Sequence, residues 1–166
     1  MAGAASWSFN ENDFKQIQTY LQAFLRDSNA RCALLVDRNG QLVATVGDTP
    51  KFDPTAFASL TAADFSANDQ LAKMIGEAEF ASLVHQGERE SMYLADVAKR
   101  VILVVLFDQR ATLGLVKLKA KAVVGELNKV FEEMFSRVGT GQGGAGGAEQ
   151  KGLLEGAEDE IDKLFG

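Results

Sequence analysis

The chain has 166 residues, 46% hydrophobic and 24% charged, which is enough for one ordinary globular domain with its own core plus a tail. Its formal charge of −6 is uneven, because from Glu149 onward six acids face only two lysines. That balance lacks the basic face of a nucleic-acid binder, and no apolar run approaches the roughly 20 residues that span a bilayer.

The opening stretch, MAGAASWSF, lacks the basic flank and apolar core of a signal peptide. A single cysteine, Cys32, suits a reducing compartment and leaves no disulfide framework within one chain. The expected location is therefore the cytoplasm.

The first predicted element lies in NENDFKQIQTYLQAFLRDSN. Phe14, Ile17, Leu21, Phe24 and Leu25 recur at helical spacing, with Asn10 or Asn12 as N-cap and Asn29 near the end. RCALLVD and QLVATV then flank a turn containing Asn39-Gly40, which predicts a hairpin.

A second helix is expected from Asp53 as N-cap and Pro54 at the first helical position, closing at Gly76. Phe57, Leu60, Leu71, Met74 and Ile75 form its expected core side. Ala58, Ala62, Phe65, Asp69 and Ala72 fall together on a second side, open either to a close-approaching partner or to a further contact within the chain. ASLVHQG, SMYLADV and RVILVVLFD read as three consecutive strands with turns near Glu88–Arg89 and Ala98–Lys99, the last strand buried on both faces. A long final helix starts near Thr112 on a stripe of Val116, Ala120, Val123, Leu127, Val130 and Met134.

The fold class is thus α/β: a sandwich built on a five-stranded, mostly antiparallel sheet with three helices, in the order αββαβββα. The expected organisation is an N-terminal arm (1–9), one domain (10–138), a linker (139–148) and an acidic amphipathic tail (149–166). GTGQGGAGG carries six glycines in nine residues, the composition of a flexible linker. In the tail, Leu153, Leu154, Ala157, Ile161, Leu164 and Phe165 share one side of an induced helix.

No catalytic constellation emerges. The one histidine, His85, cannot form a metal-binding pair, and a Cys32/His85 dyad rests on nothing beyond both residues existing. GTGQGGAGG has no following Lys-Ser/Thr and no strand-to-helix setting, so it is no phosphate loop. Asp159, Glu160 and Asp162 do not match calcium-loop spacing. No cofactor, no metal and no enzymatic activity of its own is expected.

The element order, together with ALLVDRNGQLVATVG, SLTAADFSANDQLAKMIGE, EFASLVHQGERESMYL and RVILVVLFDQRATLGLVKLKAKAVVGEL, resembles the roadblock / dynein-light-chain family, and within it the bacterial MglB type. The match runs from about Asn10 to Arg137. The resemblance implies a profilin-like roadblock sandwich and a homodimer. It implies that two protomers embrace one small Ras-like GTPase of the MglA type and stimulate its GTP hydrolysis. They would do so by reorganising the GTPase's own residues, without an inserted arginine, in cell polarity or motility and with a place at a cell pole.

The helix over Asp53–Ile75 would carry most of that contact. The implied GTPase-binding set is Ala58, Ala62, Phe65, Ser66, Asp69 and Gln70, with Lys117 and Lys121 of the last helix meeting acidic groups or simply forming a solvated face. The family's T-A-G-N stretch reads here Thr61-Ala62-Ala63-Asp64, and Asp69-Gln70 stand where small residues are usual, which puts the partner's identity in question. Arg89 and Arg110 both fall in turns.

The ending DEIDKLFG resembles a second docking segment anchored by Ile161, Leu164 and Phe165, for the GTPase or, as in flagellar switch peptides, for a response regulator; the plain alternative is a solubilising tail. Rival functions are a scaffold for polarity proteins without activating power, and a small-molecule sensor. A polar-lined internal pocket would favour the sensor, and a flat surface of paired helices the regulator.

Overall fold

The computed structural model describes residues 9–48 and 51–141. Eight elements follow in the expected order: α1 (Glu11–Ser28), β1 (Cys32–Asp37), β2 (Leu42–Gly47), α2 (Pro54–Met74), β3 (Ser82–Gln86), β4 (Ser91–Val97), β5 (Val101–Phe107) and α3 (Leu113–Gly141). The chain divides into two units, Met1–Glu132 and Glu133–Gly166. The described part of the second unit is the end of α3, where Ser136 and Arg137 bond back to the Glu133 carbonyl. α3 continues through Gly141, three residues into the stretch expected as linker, and the tail anchors Ile161, Leu164 and Phe165 lie outside the described residues.

Local chemistry explains the boundaries. Asn10 accepts the Asp13 amide at 2.8 Å and Asp13 answers the Asn10 amide, a reciprocal capping box at the start of α1. Asn29 ends α1 with φ of +61°. Asp53 accepts the Thr55 amide at 3.0 Å ahead of Pro54, and Gly76, at φ of +88°, closes α2. Thr112 accepts the Leu115 amide at 3.2 Å at the start of α3.

The strands form one antiparallel sheet in the order β2-β1-β5-β4-β3, so β2 and β3 are its edges. Asp37 fixes the β1–β2 turn by accepting the amides of Asn39 and Gln41, each at 2.9 Å. Gly40 there has φ of +91°, and a β-carbon on it would approach the Ser59 Cα of α2 to 3.1 Å. The hairpin therefore lies directly against α2, and a side chain at that point would be strained by the positive φ and crowded by Ser59.

Register sorts the sheet residues by face. Cys32, Leu34, Val36, Leu94, Ile102 and Val104 pack with Ala58 and Phe65 of α2. Ala33, Leu35, Tyr93, Ala95, Val101, Leu103 and Val105 are buried on the opposite face, left to α1 and α3. Ile17, Leu21 and Phe24 of α1 and Val116, Ala120, Leu127 and Phe131 of α3 are buried too. Asn128 of α3 accepts the Ala98 amide at the β4–β5 turn, at 2.8 Å. The layers are thus α2, sheet, then α1 with α3. Among the described residues no helix is long and apolar enough to cross a membrane.

Candidate functional site

α2 departs from its expected orientation. Ala58, Ala62 and Phe65, expected to face a partner, are 0%, 8% and 0% exposed and lie beneath the helix with Thr61, Asn68 and Ala72. Leu60, Leu71, Met74 and Ile75, expected in the core, are 70%, 58%, 81% and 71% exposed; of that expected stripe, Phe57 alone packs against the core cluster. The reason is space. The sheet face below is already filled by Leu34, Val36, Leu94, Ile102 and Val104, so a helix seated on it needs small contact residues and one large anchor, Phe65.

Turning about 100° per residue, α2 offers solvent two different flanks. Leu60, Asp64, Ala67, Leu71 and Met74 form one, continued by Ile75. It faces the β3 edge, since His85 Nε2 of β3 lies 2.5 Å from Asp64 Oδ2. The other, Ser59, Ala63, Ser66, Gln70 and Lys73, lies toward the β1–β2 hairpin and is exposed and mainly polar, with small side chains at its first three positions. Of the GTPase-binding set implied by the resemblance, Ser66 and Gln70 sit on this second flank.

Asp69 stands at its margin, half-buried and committed. Arg38 of the hairpin donates to Asp69 at 2.8 Å and also to Asp96 of β4, with its guanidinium 4.8 Å above the centre of the Phe65 ring. α2 is therefore held on each side, by the Arg38–Asp69 ion pair toward the hairpin and by the Asp64–His85 contact toward the β3 edge. Neither long-range pair is visible in the local pattern of the sequence.

Lys117 and Lys121 are exposed, but on the layer across the sheet from α2. One protomer cannot present them together with the α2 flanks in a single surface. Arg110 donates to both carboxylate oxygens of Asp108, from Nε to Oδ1 at 3.2 Å and from a terminal guanidinium nitrogen to Oδ2 at 2.9 Å, so it is engaged within the chain.

Those bonds, with the Arg110 amide and the nearby Arg31, hold the Asp108 carboxyl down to about 2 from an ordinary 3.8. A depressed folded-state value means that this stabilisation is present above pH 3.8 and is lost as pH falls through 2. Asp108→Asn is therefore expected to lower the melting temperature at pH 7, with the gap to the parent protein closing between pH 4 and pH 2 in a thermal-denaturation series.

Cys32 and His85 share a cross-sheet row, but Met92 and Leu106 stand between them. Three strand spacings of ~4.8 Å put them roughly 14 Å apart, too far for a dyad. Burial pushes the Cys32 thiol up to about 11, so it is held as an unreactive thiol. Among the described residues no group of three or more metal-ligating side chains is found. One hollow of about 600 Å³ opens at the N-terminal end of α2, over Cys32, Phe57, Met92 and Leu106. It is apolar-floored and open to solvent, not the polar internal pocket expected of a sensor.

The Roadblock/LC7 domain model matches residues 8–107. MglB of Myxococcus xanthus is 45% identical over 72% of this chain and 98% of its own, with a TM-score of 0.69. The gliding protein MglB of Thermus thermophilus is 35% identical over 79% of this chain and 99% of its own, with a TM-score of 0.73. An MglB with tetrameric arrangement, also 35% identical, covers 80% of this chain and 99% of its own at a TM-score of 0.74. No curated protein matches.

Proposed function

This chain belongs to the roadblock/LC7 family and is of the MglB type, and from that premise we propose that it works as a homodimer which grips a small Ras-like GTPase of the MglA type and stimulates its GTP hydrolysis. The observation that carries the reading is the division of α2 into a mainly apolar flank beside a free sheet edge and a mainly polar flank facing away.

The apolar flank is the self-association surface. A row of large aliphatic side chains in water is unfavourable, and an unpaired edge strand beside it offers backbone hydrogen bonds to a second copy. A two-fold arrangement satisfies both at once, because each patch meets its own duplicate. The tetrameric arrangement named for one relative supports self-association.

The polar flank is the GTPase surface, with Ser66 and Gln70 as contacts and Ser59 and Ala63 allowing close approach. The reading asks no covalent chemistry of these side chains. Phosphoryl transfer depends mainly on positioning and charge stabilisation, so a partner that binds the competent arrangement of the switch region more tightly accelerates hydrolysis by that preference. The tail, through Ile161, Leu164 and Phe165, is a second, tethered docking segment. The setting is cell polarity and gliding motility, after the gliding protein among its relatives.

Single-turnover GTP hydrolysis by the Ras-like GTPase of the same cell, with and without this protein, tests the reading. Acceleration is expected. Binding without acceleration would leave a scaffold in its place. Ser66→Arg, a bulky charge on the polar flank, is expected to weaken GTPase binding about tenfold or more while the protein stays folded and dimeric. Unchanged binding in a titration would move the contact elsewhere.

A further inference from the structure

We propose that the hollow at the N-terminal end of α2 is the socket for Met74 and Ile75 of a second copy of this chain, so that each protomer plugs the other. This rests on the homodimer reading and gives it residues.

The hollow and the two side chains occupy opposite ends of one flank. Phe52 and Phe57 stack with centroids 4.4 Å apart beside the opening, while Cys32, Met92 and Leu106 form an apolar floor. At the far end of the helix, Met74 and Ile75 are the most exposed large apolar side chains of the described residues. A 600 Å³ opening has room for two aliphatic side chains, and an unbranched methionine adapts to an irregular socket.

Symmetry brings the ends together. Two α2 helices packed antiparallel about a two-fold axis set the C-terminal end of each against the N-terminal end of the other. With the axis between Phe65 and Ser66, Leu60 meets the second copy's Leu71, Phe57 meets its Met74, and Asp64 meets its Ala67. The flank pairs with itself, large aliphatic side chains toward its ends and Asp64 and Ala67 beside the axis, where the helices come closest; the Asp64 carboxylate is engaged by His85 of its own chain.

Charge agrees with the same register. Lys51 on the rim of the hollow and Glu77 just beyond Ile75 make no ion pair among the described residues. In this arrangement the second copy's Glu77 falls opposite Pro54, within reach of Lys51. Asp53 is also near, with its carboxylate engaged in capping the Thr55 amide.

The test is the dimer dissociation constant of the full chain, measured by analytical ultracentrifugation. Met74→Ala with Ile75→Ala, and separately Met92→Trp to fill the socket, are each expected to raise it about tenfold or more. Combined, they are expected to cost no more than either alone, because both remove the same contact. Additive effects, or folded variants with the parent constant, would overturn the socket. If Leu71→Asp still abolished the dimer in that case, the dimer reading would stand without it; a parent protein monomeric at all concentrations would sink both. Should Met92→Trp fail to fold, the exposed pair decides. Lys51→Glu and Glu77→Lys are each expected to weaken association several-fold and to restore it when combined, and no restoration would count against the proposed register.

Discussion

Leu71→Asp is expected to give a folded monomer that no longer accelerates GTP hydrolysis. Leu71 is 58% exposed in the protomer, so the aspartate remains hydrated there and the circular dichroism spectrum should be unchanged. In the dimer the same side chain would be enclosed against Leu60 of the second copy. A carboxylate buried without a partner costs several kcal/mol, and symmetry imposes that cost twice. The dissociation constant should rise by about 100-fold or more, one factor of ten per ~1.4 kcal/mol. Stimulation of hydrolysis should fall with it, because the proposed grip on the GTPase takes both protomers. A variant that still sediments as a dimer would remove the apolar flank from the interface.

Phe65→Ala has the opposite signature. Phe65 is fully enclosed between α2 and the sheet, with Arg38 over its ring. Removing it should cost about 3–5 kcal/mol in a urea titration, through lost burial and the cavity left behind. For a chain of this length that lowers the melting temperature by roughly 10 °C. On a solvent-facing flank the same substitution would cost ~0.5 kcal/mol or less. The experiment therefore decides which side of α2 faces inward, and for the same reason Ala62→Arg probes folding, not partner binding.

Much of the architecture was legible in the sequence. Asn10, Asn29, Asp53-Pro54, Gly76 and Thr112 mark helix ends through side-chain and backbone chemistry that acts within a few residues, and all appear where expected. The turn at Ala98–Lys99 was legible from its spacing alone. Both residues take positive φ, +53° and +62°, without glycine, with the Ala98 amide bonded to Asn128 and the Lys99 amide to Asp96.

The orientation of α2 was not legible. Two stripes share that helix, and hydrophobicity favours Leu60, Leu71 and Met74 as the inward one. What reverses the choice is the crowding of the sheet beneath, a property of three strands distant in sequence. The alignment of Ala58, Ala62 and Ala72 with Phe65 was the available signal; it was visible as a stripe of mainly small residues, but its meaning depends on what it packs against. Asp69 illustrates the same limit: an exposed-looking acid on a contact helix turns out to be one arm of a fork reaching from Arg38 to Asp96.

That fork and the Asp64–His85 pair act on α2 as two stays act on a mast. One pulls toward the hairpin and the other toward the edge strand, so the helix cannot roll about its long axis without slackening one of them. A roll of a single residue, about 100°, would carry the wettable side to where the greasy one stands and turn the greasy one against the sheet. Holding the azimuth fixed means that a visiting surface meets a platform already set, and that little ordering entropy is spent on arrival.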